Sequence, residues 1–148
     1  MPFALTSPAF ADGAPIPALY GCTGENISPP LAWSGPPPGA KSFVIIIEDP
    51  DAPGGTFRHW GVYNIPGNTT ALPPDSAAAY SSVVNDFGRT GYDGPCPPPG
   101  GTHHYHFRIA ALRNPAISIS ADASVVDLWH MAQPYALGEA ELIGTYTR

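Results

Sequence analysis

The stretch Ser42 to Glu48 (SFVIIIE) is an uninterrupted apolar and β-branched run, bounded by Gly39 and by Asp49-Pro50. A run without alternation predicts a strand buried on both faces. Phe57 to Ile65 (FRHWGVYNI), stopped by Pro66-Gly67, predicts a second strand, and Tyr105 to Leu112 (YHFRIAAL), stopped by Asn114-Pro115, a third. In the second, a period of two puts Phe57, His59, Gly61 and Tyr63 on one face and Arg58, Trp60 and Val62 on the other. Entering the third, His103 and Tyr105 share a face while His104 and His106 take the opposite one. A short strand fits Ile27 to Trp33, and a closing one Leu142 to Tyr146. The rest of residues 1 to 40 is predicted irregular or edge structure, because prolines from Pro2 to Pro38 withhold ladder donors. Scattered turn residues fill Asp75 to Gly101, ending in Gly94-Pro-Cys-Pro-Pro-Pro-Gly-Gly101, which cannot be helical and forms a stiff wall. Asp122 or Ser124 can cap a helix with Val125, Leu128, Trp129 and Ala132 on one stripe, ended or kinked by Pro134. No internal repeat is present. The pattern predicts a mostly β, α+β fold with one or two C-terminal helices.

Composition sharpens this picture. The 148 residues suit one domain spanning 1-148, and 43% apolar residues suffice for a core. Charged residues are only 12%, while glycine and proline number 16 and 20, so disorder through charge is excluded and the Gly/Pro content punctuates short strands. A net charge of -6 disfavours nucleic acid and anionic membrane surfaces. Neither a signal-peptide pattern nor a long apolar run appears, so a cytoplasmic location without integral membrane association is expected. Cys22 and Cys96 are too few for a disulfide scaffold or a four-ligand zinc site, and free thiols in a reducing compartment are the expectation.

Three clusters can carry chemistry. Asp49-Pro50-Asp51-Ala52-Pro53 stands where the buried strand ends, and its prolines hold each carboxylate in one geometry, suited to binding or acid/base work or to capping a turn. His59 lies on the next strand. His103-His104-Tyr105-His106 follows the proline wall, where His104 and His106 form either an H-x-H metal pair or, as preferred here, a solvated sheet face.

The order of these clusters, DPDAP, a strand histidine and then YDGPCPPPGGTHHY, resembles the phosphatidylethanolamine-binding protein family, also called the Raf kinase inhibitor protein family, and especially its short bacterial members. The similarity runs from Ser7-Pro8-Ala9-Phe10 through Gly24 to Leu31 (GENISPPL) to Ala140 to Tyr146 (AELIGTY). It implies a central antiparallel sheet packed on a smaller sheet, C-terminal helices, and a small anion pocket at one edge. The residues implied for that pocket are Asp49, His59, Pro95, Cys96, Pro97 and His103, lined by Tyr105 and Phe57, with Asp51 and Pro53 shaping the loop. Relatives accept phosphate-like groups and the phosphatidylethanolamine head group there. His104 stands where many relatives carry arginine, and Cys96 where longer members often have a small residue. Because both cysteines lie in family-like segments, a Cys22–Cys96 bridge is the alternative to free thiols.

The leading functional expectation is a non-catalytic module that binds a small anionic ligand and regulates a protein partner that no motif identifies. Two imidazolium groups near Asp49 would strengthen such binding below about pH 7. The alternative is a small acid/base cyclase, dehydratase or hydrolase using His59, His103 and Asp49. A two-histidine, one-carboxylate metal site from the same residues is a third reading, but the expectation is no metal and no cofactor. Monomer and homodimer are equally compatible with the composition.

Overall fold

The computed structural model describes residues 2–148. In chain order the strands are β1 (Ala4–Thr6), β2 (Leu31–Ser34), β3 (Ser42–Asp49), β4 (Phe57–Pro66), β5 (Ala71–Leu72), β6 (Ser81–Ser82) and β7 (Thr102–Leu112). The helix α1 (Val125–Ala132), a 3-10 turn at Gln133–Tyr135 and the long strand β8 (Ala136–Thr147) complete the chain. Two antiparallel sheets result, a small one ordered β1-β2-β5 and a large one ordered β6-β4-β3-β7-β8. The fold is mostly β, as the sequence pattern predicts.

The central position of β3 explains its uninterrupted apolar run. Phe43, Ile45 and Ile47 face the core shared with the small sheet, where Leu5, Leu31, Trp33, Trp60, Phe107 and Ile109 meet them. Val44 and Ile46 face the other way, into a second core closed by Val125, Leu128 and Ala132 of α1. Each side of the strand is thus removed from water, and each buried aliphatic side chain contributes roughly 1.5–3 kcal/mol. Ser124, rather than Asp122, caps α1: its hydroxyl accepts the Asp127 N–H at 3.1 Å and the Asp127 carboxylate accepts the Ser124 N–H at 3.1 Å. The helix stops at Ala132, two residues before Pro134, and is the only α-helix among the described residues. Among the described residues no helix is long and apolar enough to cross a membrane.

The strict alternation expected in β4 fails at a bulge. Ile47 pairs with Trp60 and Glu48 with Arg58, which leaves His59 as an extra residue on β4. Consequently Trp60 and Val62 face the inter-sheet core, and His59 meets Tyr105 of that same side edge to face. Gly61 and Tyr63, expected beside His59, instead face α1: a Cβ on Gly61 would meet Val83, Leu128 and Val125. A bulge re-aims one side chain and bends its strand, and here the re-aimed side chain is the histidine.

The predicted strand at Ile27 to Trp33 begins later, at Leu31, and the closing strand begins earlier, at Ala136. The free-thiol expectation is overturned, because Cys22 and Cys96 form a disulfide. Neighbouring bonds bring the two segments together: Cys22 N–H donates to the Pro95 carbonyl at 3.0 Å, and Gly94 N–H to Asn26 Oδ1 at 2.8 Å. Tyr92 O–H donates to the Tyr20 carbonyl at 2.5 Å. The approach is so close that a Cβ on Gly94 would lie 2.0 Å from the Tyr20 carbonyl oxygen, so only glycine fits.

Candidate functional site

Strand β3 ends at Asp49, which is 3% exposed. Its Oδ1 accepts the Asp51 N–H at 2.8 Å, closing the turn, while Oδ2 accepts from His103 Nδ1 at 2.6 Å. The aspartate therefore does both things its sequence setting suggests: it caps the turn and engages a histidine. Pro50 and the hydrogen bond to Asp51 hold the carboxylate, and the β3–β7 ladder brings His103 to it from 54 residues away. Asp51 lies outside this pair. Its exposed carboxylate accepts both the N–H and Nδ1–H of His104 at 2.8 Å, tying the loop to β7, and those bonds hold it below the usual carboxylate range.

His59 reaches the site from the β4 bulge. Its Nδ1 donates to the Asp93 carbonyl at 2.8 Å, and the Asp93 N–H returns a bond to the His59 carbonyl at 3.3 Å. Asp93 is itself fixed by Arg89 at 2.7 and 3.1 Å and by Asn85 at 2.7 Å. Burial opposes ionisation of Asp93, but the Arg89 and Asn85 hydrogen bonds outweigh it and hold the carboxyl below its ordinary value. Asn85 also accepts the N–H groups of Phe87 and Arg89 at 3.0 and 3.2 Å, which folds the turn that sets Phe87 against Phe57.

These elements enclose a cavity of about 160 Å³. Asp49, Phe57, His59, Cys96, Pro97, His103 and Tyr105, all named from the sequence, line it together. Pro95 does not; its carbonyl is turned to Cys22. Ala52, Pro53, Pro98 and Phe87 complete the lining. The sequence reading missed Phe87 as a contact residue, although an aromatic in the turn Asn85-Asp86-Phe87-Gly88 is the available signal, since it is 40% exposed instead of buried in the core. A volume of this size falls below the roughly 300–1,000 Å³ of sites for drug-sized molecules, and suits one small group.

The wall is otherwise apolar, so the chemistry rests on Asp49, His59 and His103. Burial pushes His59 below the usual histidine range, against the opposing pull of the Asp93 carbonyl and the Asp49 charge. Burial thus works against the imidazolium form of His59, and among the described residues no lysine or arginine lines the cavity. The Tyr105 hydroxyl is buried without a hydrogen-bond partner, and burial together with the Asp49 charge raises it far above its ordinary value. His104 and His106 turn to separate carboxylates, Asp51 at 2.8 Å and Glu141 at 3.2 Å, so they form no shared pair. Among the described residues no group of three His, Cys, Asp or Glu side chains is placed to hold a metal.

A second hollow of about 210 Å³ lies on the opposite face of the large sheet, between β3, β4, β7 and α1. Its charges satisfy one another: Arg58 and Arg108 flank Glu48 at 3.5 and 3.1 Å, and Arg108 stacks on Trp129 at 4.8 Å. Internal pairing marks this hollow as a cover over the second core.

Known proteins resemble this chain along nearly its whole length. A family model described as phosphatidylethanolamine-binding protein matches residues 6–147. A UPF0098 protein of Aquifex aeolicus is 43% identical over 96% of this chain and 86% of its own length. A Mycobacterium tuberculosis protein, LppC, provisionally named a lipoprotein, is 44% identical over 98% of this chain and 72% of its own. Among solved structures, the phosphatidylethanolamine-binding protein homolog CT736 of Chlamydia trachomatis superposes with a TM-score of 0.92 at 38% identity, covering 99% of this chain and 97% of that one. By this match along nearly its full length, the chain belongs to the phosphatidylethanolamine-binding protein family.

Proposed function

We propose that this protein binds a small oxyanion, a phosphate or phosphorylated head group, in the cavity of Asp49, His59 and His103. One observation carries the reading: a buried carboxylate–imidazole pair at 2.6 Å and a second buried imidazole converge on an apolar cavity sized for one small group. With Asp49 holding Nδ1, a protonated His103 presents its Nε2–H to the ligand as a charge-assisted donor. The name of the family supports a phosphoethanolamine-type head group as one source of that oxyanion. A regulatory role follows if a protein partner meets the rim of the same cavity, where Phe87 is exposed.

The test is an amide and imidazole NMR titration with phosphate and phosphoethanolamine at pH 6 and pH 8, on wild type and His103→Ala. Saturable shifts at Asp49, His59 and residues 94–101, stronger at pH 6 and lost in the variant, are expected. Absence of any such shift at either pH refutes the reading.

The enzyme alternative is favoured by one feature, a neutral imidazole and an aspartate-held imidazole in one cavity, which together can accept and donate a proton. It requires a substrate-specific rate that disappears in both His59→Ala and His103→Ala. The Cys22–Cys96 bridge favours an oxidising compartment over the cytoplasm expected from the sequence. Thiol trapping of the protein directly from cells, followed by mass analysis, decides between the two locations.

A further inference from the structure

We propose that His59 makes the cavity selective for an oxyanion that still carries a hydrogen, such as a phosphomonoester monoanion, over an equally charged sulfate ester. This rests on the oxyanion reading above and adds a residue that sets specificity within it.

Geometry fixes which nitrogen of His59 bears the proton. Nδ1 lies 2.8 Å from the Asp93 carbonyl oxygen, and a carbonyl can only accept, so the N–H sits on Nδ1. The ring is 3% exposed. It is packed edge-on among Phe57, Tyr105 and Phe87 at centroid distances of 5.1, 5.3 and 5.6 Å. The charged or titratable groups around it are the Asp49 and Asp86 carboxylates, Asp93 held by Arg89, the un-ionised hydroxyl of Tyr105 and, across the cavity, the His103 imidazole held by Asp49. Burial outweighs these carboxylates and the backbone carbonyls of Asp93 and Gly94, and keeps the ring neutral near pH 7. A neutral ring with its proton on Nδ1 leaves Nε2 a bare lone pair.

His59 is therefore an acceptor in the cavity lining, while His103, held at Nδ1 by Asp49, is a donor at Nε2 in its imidazolium form alone. A ligand with only acceptor oxygens sets lone pair against lone pair at His59 and leaves a buried acceptor unmatched. One O–H on the ligand removes both costs, and sites built around such a hydrogen bond reject analogues that lack it. Methyl phosphate and methyl sulfate form a matched pair for this purpose, because the phosphate monoanion keeps one hydrogen that the sulfate lacks.

Isothermal titration of the wild-type protein with each ester at pH 6 and pH 8, at constant ionic strength, tests the proposal. Phosphomonoesters lose their second proton at about pH 6, so the hydrogen-bearing form is abundant at the lower pH and scarce at the higher. Methyl phosphate is expected to bind about tenfold more tightly than methyl sulfate at pH 6, with the preference shrinking at pH 8. Methyl sulfate, having no proton to lose, reports changes in the protein alone. Ring ¹⁵N shifts of His59 in the ligand-free protein at pH 8 are expected to show a protonated Nδ1 and a bare Nε2. His59→Gln, whose amide can donate as well as accept, should narrow the preference; the ¹⁵N measurement on wild type stands whether or not that variant folds. Equal affinities for the two esters at pH 6, or a protonated Nε2, overturn the selectivity while leaving the oxyanion cavity in place. Failure of both esters and of inorganic phosphate to bind overturns the oxyanion reading together with it.

Discussion

Removing the bridge between Cys22 and Cys96 is the perturbation whose size follows most directly from the structure. The two residues are 74 positions apart, so the bond closes half the chain into a loop in the unfolded state. In the chain-entropy treatment, a loop of 74 residues lowers the unfolded entropy by about 15 cal/mol/K, or about 4.4 kcal/mol at 25 °C. For a chain of this size each kcal/mol shifts Tm by roughly 2–5 °C, so loss of the bridge is expected to lower Tm by roughly 10–20 °C. The assay is urea and thermal unfolding of the oxidised protein, the same protein in dithiothreitol, and Cys22→Ser/Cys96→Ser. The native contacts around the bridge persist without it, since Cys22 N–H to Pro95, Gly94 to Asn26 and Tyr92 to Tyr20 are independent of sulfur. The reduced protein should thus remain folded at 25 °C with a near-native amide spectrum, changed most at residues 94–101. A stability difference below about 1 kcal/mol between oxidised and reduced protein refutes the loop-closure reasoning, and two titratable thiols in protein purified under oxidising conditions refute the bridge itself.

Ser124→Ala removes one half of the capping box on α1 and should cost about 1 kcal/mol in urea unfolding, without moving cavity resonances. Gly94→Ala forces a methyl group to within 2.0 Å of the Tyr20 carbonyl; a loss of about 1–3 kcal/mol by denaturation, with shifts concentrated in the cavity wall, is expected. Because burial places His59 below its unfolded value of about 6.5, the unfolded state takes up its proton first as pH falls. The stability His59 supports is therefore present above about pH 6.5 and declines as pH drops toward its folded value. Tm measured from pH 8 to pH 5 should show this decline in wild type, and a shallower one in His59→Gln.

Much of the frame was legible because burial on two faces leaves a mark that no surface strand can imitate. Ser42 to Glu48 has no polar residue between its ends, and β3 lies at the centre of the large sheet. The ladder that follows brings Asp49 and His103 together across 54 residues. Strand β8 was only half visible, since Ala136 to Glu141 mixes small and acidic residues with weak β propensity; its register is imposed by pairing with β7, including Arg108 opposite Glu141. The two-residue strands β5 and β6 carry no periodicity at all, and only their partners define them.

The position of His59 was legible for a reason that does not hold in the fold. Simple alternation placed it beside Phe57, and that neighbour is correct, but the same alternation placed it beside Gly61 and away from Trp60. An extra residue in one strand is a property of pairing, set by where Glu48 and Ile47 find partners, and no single-strand pattern encodes it. The ion pairs of Glu48 with Arg58 and Arg108 hold the α1 side of the bulge, while Asp49 and His59, their chain neighbours, take the cavity side. The Asn85–Arg89–Asp93 network then fixes the His59 ring through a backbone carbonyl, so this cavity side chain is oriented by residues that do not line the cavity. Identity at the site could be read from types and order along the chain, whereas proton placement at His59 depends on a carbonyl 34 residues away and had to come from the folded geometry.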